Sequence, residues 1–242
     1  MKRMLVVGAL MFAGVEVVLA ADIATPPSPA PPSSYFPTTA PINWGGFYIG
    51  VNSGYGFGTS NWTAAAASPA AGGTIGSFNT SGLLVGGTLG LNLQANAFVF
   101  GVETDGDWTN LNGSSSNGYC SSVTANATCE TKSDWLSTAR IRIGYAFNQI
   151  LVYGTGGIAF GDIQSGLNPP ATFDSSINVG WTAGAGIEYA FAQNWSAKIE
   201  YLYINLGSVS CTSANCGPAV PFTVPLTESV VRAGVNFKFG PW

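Results

Sequence analysis

The stretch that most constrains the fold is Trp44–Gly58, which reads WGGFYIGVNSGYGFG. Residues of one parity are large and apolar, whereas those of the other parity are mostly glycine and asparagine. A repeat of two residues predicts a β-strand, because successive side chains of a strand point to opposite faces. A soluble sheet would bury the apolar face against a core, so the rest of the chain must indicate what covers this face.

The same alternation recurs in seven later segments, and no segment shows a helical repeat. Each segment is at least as long as the ~9–11 residues that a tilted strand needs to cross a bilayer. The predicted strands are Trp44–Gly58, Ser81–Gln94, Phe98–Trp108, Asp134–Phe147, Ile150–Gly161, Ser176–Phe191, Trp195–Asn205 and Thr227–Phe239.

The connections between these strands alternate in length. The short turns are 95–97, 148–149 and 192–194, and the long loops, rich in Gly, Ser, Asn and Thr, are 59–80, 109–133, 162–175 and 206–226. Short periplasmic turns and long extracellular loops are typical of outer-membrane barrels. An open sheet edge in hydrocarbon would leave backbone groups unpaired. We therefore predict an all-β fold, an eight-stranded antiparallel transmembrane β-barrel that lies in the outer membrane after export through the periplasm.

The charged residues support this assignment. Only 8% of residues are charged, as suits a surface in contact with lipid. An arginine on the lipid face would cost about 2–4 kcal/mol at the bilayer midplane. Most charges occupy the parity opposite to the large apolar side chains, so we predict that they face the lumen. They are Glu103, Asp105, Asp107, Arg140, Arg142, Glu188, Lys198, Glu200, Glu228, Arg232 and Lys238.

Charges inside a barrel are expected to pair, because desolvation would otherwise cost several kcal/mol per ion. From their positions along the strands we expect four pairs: Glu188 with Lys198, Glu103 with Arg142, Asp105 with Arg140, and Glu200 with Arg232. A static salt-bridge network would fill the lumen and fix the strand register. The alternative is a switchable gate that opens a thin ion path. A wide channel is not expected, because eight strands enclose just enough room for side chains.

The N-terminal region predicts export. Residues 1–20 combine Lys2 and Arg3 with a short apolar run and a small-residue cleavage site, as in a secretory signal peptide. The run is too short for a membrane helix. Residues 21–43 are rich in proline and predict an extended periplasmic tether, with binding to cell-wall material such as peptidoglycan as the alternative. The barrel is then 44–242.

Four cysteines occur in the predicted long loops. Cys120 and Cys129 share the second, and Cys211 and Cys216 share the fourth. Four cysteines allow three pairings, and the oxidising periplasm favours disulfides. Pairing of the two cysteines within each loop is preferred, because it closes a shorter stretch of chain than pairing between the loops. Metal binding is not favoured, because the chain has no histidine and the spacing does not match a zinc site.

Catalysis and nucleic-acid binding are not expected. Without histidine, no Ser–His or Cys–His nucleophile can form. The segment Gly154–Ala159, GTGGIA, matches half of a dinucleotide fingerprint but precedes no helix. A net charge of −4 without a basic stripe excludes a phosphate-binding surface. We predict no cofactor. A soluble, lipocalin-like barrel is a third alternative, but its apolar face would point inward.

The last strand carries a further motif. In AGVNFKFGPW, Gly234, Phe237 and Phe239 have the spacing Gly-x-x-aromatic-x-aromatic. This spacing resembles the C-terminal signal that the barrel-insertion machinery reads. Three residues follow Phe239, so Trp242 is an alternative terminal aromatic.

Together with the opening stretch, the segments SGLLVGGTLGLNLQ, FVFGVETDGDW, WLSTARIRIGYAF, VYGTGGIAFGD, GWTAGAGIEYAF, WSAKIEYLYINLG and VRAGVNFKF resemble the small outer-membrane β-barrel proteins of alphaproteobacteria. This is a porin-like surface-antigen group related to the OmpA-type barrel. The resemblance covers 44–239. It implies an eight-stranded barrel with a proline-rich tether, a role in envelope integrity, contact with outer-membrane lipid, lipopolysaccharide and host surface molecules, and no catalytic residue.

Overall fold

The computed structural model describes residues 42–64, 74–116, 126, 128–168, 172–211 and 222–240. Eight antiparallel strands form a closed barrel in sequence order, which confirms the predicted fold. The described part contains no helix long and apolar enough to cross a membrane. The strands are β1 (Gly46–Ala64), β2 (Thr74–Ala95), β3 (Phe98–Ser115), β4 (Thr128–Phe147), β5 (Ile150–Asn168), β6 (Thr172–Ala190), β7 (Trp195–Cys211) and β8 (Phe222–Phe239).

Pairing of the first strand with the last closes the sheet. β1 pairs with β2 along one edge and with β8 along the other, from Phe47 opposite Phe239 to Ala64 opposite Phe222. In hydrocarbon an unpaired N–H or C=O group costs several kcal/mol, and closure removes both free edges at once.

We call the end with the connections 96–97, 148–149 and 191–194 the turn end, and the opposite end the loop end. The first residues of the two shortest turns, Asn96 and Asn148, have φ of 55° and 53°. Asparagine tolerates this left-handed conformation better than most residues. Local sequence therefore specifies these tight connections.

The strands extend further at the loop end than the alternation indicated. β5 ends at Asn168 and β6 begins at Thr172, so most of the predicted loop 162–175 is strand. Breaks in register follow Trp108 and Asn205, where two predicted strands end. Beyond the lipid both faces of a strand can be polar, so the period of two disappears while backbone pairing continues.

The outer wall carries the apolar face of every strand. In the opening stretch, Phe47 is 49% exposed and Val51 is 67% exposed. Aromatic pairs lie near both ends of the wall, such as Trp195 with Phe237 at the turn end and Trp181 with Tyr203 towards the loop end. Aromatic girdles at the two interfaces are expected of a transmembrane barrel. The apolar face of the opening stretch is therefore covered by lipid.

Glycines on the inner face make room for large side chains. Gly90 lies opposite Tyr48, and a Cβ atom on Gly90 would be 2.1 Å from Cζ of that ring. Gly186 lies opposite Tyr153 in the same way, with a Cβ–Cζ distance of 2.6 Å. Gly90 and Gly186 thus make room for two inward aromatic rings.

Among the described residues, two apolar clusters occupy the lumen. The loop-half cluster consists of Leu84, Leu136, Ala159, Ile163, Leu202, Ile204, Leu206, Leu226 and Val230. The turn-end cluster consists of Trp44, Val99, Leu151, Tyr153 and Ala190, with Ile42 and Ala146 packed against it.

Trp44 was predicted to begin the first strand, but β1 begins at Gly46. Its backbone N–H donates to Oε1 of Gln94 at 2.6 Å, and its indole N–H donates to the carbonyl of Asn148 at 3.4 Å. Its side chain is 5% exposed. Contacts with the closed turn end, which strand periodicity does not reveal, hold this residue inside the mouth of the barrel.

We expect Gly90→Ala to destabilise the barrel, because the new methyl group would overlap the Tyr48 ring. Overpacking of this kind costs roughly 1–3 kcal/mol. The measurement is the temperature at which the compact band in a heat-modifiability gel disappears. Gly106→Ala is the matched control, since no atom lies within 4 Å of its added Cβ. Equal loss in both variants would contradict this account.

Candidate functional site

Nine buried charged side chains lie together in the lumen, and we call them the lumen network. Each has a relative exposure of 3% or less. β3, β4, β6, β7 and β8 contribute them, so they come from strands around most of the barrel. The members are Glu103, Asp105, Asp107, Arg140, Arg142, Glu188, Lys198, Glu200 and Arg232.

Two guanidinium groups share two carboxylates at the centre of the network. Arg140 donates to Glu200 at 2.9 Å and to Asp105 at 2.7 Å. Arg232 donates to the other oxygen of Glu200 at 2.8 Å and to the same oxygen of Asp105 at 2.9 Å. Arg232 also reaches Asp107 at 3.1 Å. These contacts connect β3, β4, β7 and β8 across the lumen.

Glu103 lies on β3, nearer the turn end than Asp105, and it is another shared carboxylate acceptor of the network. It receives hydrogen bonds from Lys198 at 2.8 Å and from the phenol of Tyr48 at 2.7 Å. Arg140 also donates to it, and Arg142 lies 3.5 Å away. Three cationic side chains therefore surround one carboxylate, which offsets the cost of burying its charge.

Arg142 is held by a carboxylate and two aromatic rings. It donates to Glu188 at 2.7 Å and to the Tyr48 oxygen at 2.9 Å. Its guanidinium carbon lies 4.0 Å from the ring centroid of Tyr153, a cation–π contact. Asn236 donates to Glu188 at 2.8 Å. Neutral side chains thus bind part of the network.

The expected pairs meet in only some cases. Glu200 and Arg232 lie opposite each other on β7 and β8 and are hydrogen bonded. Glu188 lies opposite Lys198 on β6 and β7, but the lysine bonds across the lumen to Glu103.

The expected contacts between β3 and β4 form, with Arg140 2.7 Å from Asp105 and Arg142 3.5 Å from Glu103, but the strand register differs by two residues from the expected one. Glu103 lies opposite Arg140, whereas Arg142 lies opposite Gly101. Distances counted from the turns could not reveal contacts between strands on opposite walls, such as the one from Arg140 on β4 to Glu200 on β7. Long side chains make these contacts because the closed lumen is narrow.

Sequence reasoning missed the neutral members of the network. Tyr48 and Tyr153 each bond to network carboxylates, at 2.7 Å and 3.1 Å. Both occupy the inward parity, where most neighbours are glycine or small polar residues. A large aromatic on that parity was an available signal. Thr138 and Ser196, which donate to Asp105 and Glu188, had no comparable signal.

Two further predicted inward charges lie outside the network. Lys238 is at the turn end and donates to the carbonyl of Asn43. Glu228 is 2% exposed, and neither of its oxygens has a hydrogen-bond partner among the described residues. It lies between Leu226 and Val230 of the loop-half cluster, opposite Ile204. Its burial is unfavourable for a charged carboxylate.

The cysteines lie nearer to strands than expected. Cys129 is a buried residue of β4 opposite Ser115, and Cys211 is the last residue of β7. Cys120 and Cys216 lie outside the described residues, so the disulfide pairing stays a prediction. In the described part of the chain, no group of three or more His, Cys, Asp or Glu residues could hold a metal ion.

The proposed assembly motif lies in β8 beside the closure with β1. Gly234 faces inward opposite Asn52. Phe237 and Phe239 lie on the outer wall with ring centroids 5.2 Å apart, and Phe237 also contacts Trp195. Trp242 lies outside the described residues. The role of this motif in assembly stays a prediction.

An ion pair of β4 lies outside the lumen network. Lys132 contacts Glu130 at 2.7 Å near the loop end, and the lysine side chain is 38% exposed. Burial opposes the charge of Glu130, but hydrogen bonds from Lys132 and Asn168 hold the pKa of its carboxyl below the usual range. Because this pair is partly exposed, substitution of Lys132 serves as the control for substitutions in the buried lumen network.

We expect Arg140→Met to lower the free energy of unfolding by about 3–5 kcal/mol, because it removes a cationic donor from three buried carboxylates, Glu103, Asp105 and Glu200. The control Lys132→Met removes an exposed pair and should cost about 1 kcal/mol or less. Urea titration of folded barrels in vesicles measures both. Similar losses would contradict a special contribution of the network.

For Glu228→Leu we expect the opposite sign. Removal of a buried carboxylate without a partner should raise the free energy of unfolding by about 1–3 kcal/mol. In the same titration, Glu103→Leu should lower it, because Lys198 then loses its carboxylate acceptor, and Arg140 and Arg142 each lose one of theirs. A loss in Glu228→Leu would show that this carboxylate is bonded in the folded barrel.

Known proteins share this chain's sequence and architecture. The family described as outer membrane protein beta-barrel domain matches residues 34–239. The 31 kDa outer-membrane immunogenic protein of Brucella melitensis is 37% identical over 96% of both chains. The 22 kDa outer membrane protein of Rhizobium leguminosarum is 31% identical over 81% of this chain and 79% of that protein.

Solved barrels show a more distant likeness, which concerns the fold alone. OprG from Pseudomonas aeruginosa has a TM-score of 0.48 and 11% identity, covering 81% of this chain and 97% of its own. Neisserial surface protein A has a TM-score of 0.45 and 13% identity, covering 80% and 97%. The family match and the extended sequence identity, with a closed barrel whose apolar face points outward, lead to one conclusion. The chain belongs to the outer membrane β-barrel family and resides in the outer membrane.

Proposed function

We propose that this barrel has a structural and surface-interaction role in the envelope, without catalytic activity, and that the lumen network closes its interior. The observation that carries the proposal is the shared coordination of Asp105 and Glu200 by Arg140 and Arg232. These four side chains connect opposite walls at the middle of the lumen.

The energetics of burial favour a closed lumen. Desolvation of a buried ion costs several kcal/mol, and good geometry offsets this cost only while the partners stay in place. Because each central guanidinium bonds to more than one carboxylate, opening a path would break several contacts together. The apolar clusters on both sides of the network add dry layers.

A low-conductance gated pore is the second candidate, and two observations favour it. Asp107 has one ionic partner, Arg232, and its Oδ1 atom has no hydrogen-bond partner among the described residues. Glu228 is buried without a partner in the described part of the chain. Carboxylates that are incompletely bonded have acceptor capacity for a second arrangement of the network.

The proposed partners follow from the outer-membrane location. The exposed apolar wall contacts membrane lipid, and we propose lipopolysaccharide as its neighbour in the outer leaflet. The motif of Gly234, Phe237 and Phe239 would be recognised by the barrel-insertion machinery. The proline-rich tether 21–43 would bind peptidoglycan, and the loop end would meet host surface molecules. The relatives' name, outer-membrane immunogenic protein, supports surface exposure.

Planar-bilayer recordings distinguish the two candidates. For a closed lumen, we expect the wild-type barrel to show no current steps above the lipid background. Arg232→Ala leaves three carboxylates short of a donor, so water should enter and small steps should appear. The control Lys132→Ala should stay silent. Steady steps in the wild type that Arg232→Ala alters would favour the pore, and silence in both would show that the network is not what closes the lumen.

A further inference from the structure

A pocket of about 500 Å³ lies on the wall formed by β7, β8, β1 and β2, towards the loop end. Apart from Tyr55, its outward-facing lining residues form two rows across neighbouring strands. The lower row is Tyr203, Ser229, Phe57 and Ser81, and the upper row includes Thr227, Thr59 and Asn79.

The lower row alternates aromatic and hydroxyl side chains. Tyr203 lies opposite Ser229, and Ser229 lies opposite Phe57. Neighbouring strands are ~4.8 Å apart, so the two aromatic residues stand roughly 10 Å apart with a serine between them. This spacing leaves a slot with apolar walls and a hydroxyl at its base. A flat ring with polar edges fits such a slot.

The upper row offers free hydrogen-bonding groups. The side chains of Thr227, Thr59 and Asn79 make no hydrogen bond to another described residue, and neither does Ser81 in the lower row. The Ser229 hydroxyl lies 2.9 Å from the phenol oxygen of Tyr201. Hydroxyl and amide groups can both donate and accept, so they suit a ligand with many hydroxyl groups.

Among the described residues that line the pocket, none carries a charge on the outward face. Its one acidic lining residue, Glu228, is on the inward parity of β8. Among the described residues, the cationic side chains outside the lumen network are Lys132 on β4 and Lys238 at the turn end. Recognition of a phosphate would call for arginine, lysine or a helix N-terminus, and the pocket lining contains none of these. The chemistry therefore favours a neutral ligand.

The position of the pocket indicates where the ligand comes from. On the turn-end side of the slot, the outer wall carries Tyr55, Tyr201 and Val231, each 45–48% exposed, which belong to the apolar band. On the loop-end side the outward residues of the same strands are Thr59 and Thr227. The slot thus lies where hydrocarbon gives way to head groups.

We propose that this pocket binds an uncharged sugar ring of an outer-leaflet glycolipid, with the ring between Tyr203 and Phe57 and its hydroxyls against Thr227, Thr59 and Asn79. This rests on the proposed function only in that the loop end faces outside the cell. A free oligosaccharide would share the chemistry, but the apolar band directly beside the slot favours a sugar attached to lipid.

The test uses the full barrel in phosphatidylcholine nanodiscs doped with purified lipopolysaccharide, its dephosphorylated form, or phosphatidylglycerol. Native mass spectrometry counts the retained lipid per barrel. We expect saturable retention of both glycolipids and none of phosphatidylglycerol. Thr227→Val and Tyr203→Leu should weaken retention roughly tenfold, equivalent to ~1.4 kcal/mol of binding free energy.

Ser137→Ala is the matched control, because it removes a lipid-side hydroxyl on β4, on the opposite wall, that bonds only to the carbonyl of Asp105. It should retain lipid like the wild type, and heat-modifiability shows that each variant is folded. Loss of retention on dephosphorylation, equal retention in all variants, or equal competition by free oligosaccharide would overturn the proposal. Lipid retention is measured without reference to lumen conductance. The proposal of a closed lumen can therefore fail while the sugar-binding proposal holds, and the reverse is also possible.

Discussion

The structure depends on the absence of water from the hydrocarbon core. Every backbone N–H and C=O group at that depth must pair within the protein, and a sheet achieves this only when it closes. Pairing of β1 with β8 satisfies the requirement and at once divides all strand residues into two environments. Lipid covers one face, and the other face encloses a lumen narrow enough for side chains to fill.

Because the lumen is narrow, its inward face combines glycines with large aromatic side chains and with charged side chains. Tyr48 and Tyr153 lie over Gly90 and Gly186, so the barrel accommodates large rings by removing the side chains opposite them. The charged residues of the lumen network are buried, and they bond to each other and to these two phenols. Cooperation among several contacts, rather than any single ion pair, makes such a network favourable after desolvation.

Much of the fold could be predicted from local pattern, because lipid and lumen impose a period of two on each strand. The extensions of the strands beyond Trp108 and Asn205 could not, since the two faces no longer differ in polarity there. The closing position of Trp44 was hidden for another reason. It depends on Gln94, near the end of β2, and on Asn148, in the turn after β4, which closure brings to one mouth of the barrel.

The sequence by itself determined which side of the wall the residues of the predicted strands occupy, because alternation and the cost of a charge in lipid leave one choice there. Only the tertiary structure decided which acid meets which base. Arg140 reaches Glu200 and Lys198 reaches Glu103 across the lumen, between strands that are not neighbours. The same holds for the outer pocket, whose aromatic and hydroxyl side chains come from both ends of the sequence and become neighbours when the barrel closes. Register and closure set these distances, and neither is visible in the pattern of a single strand.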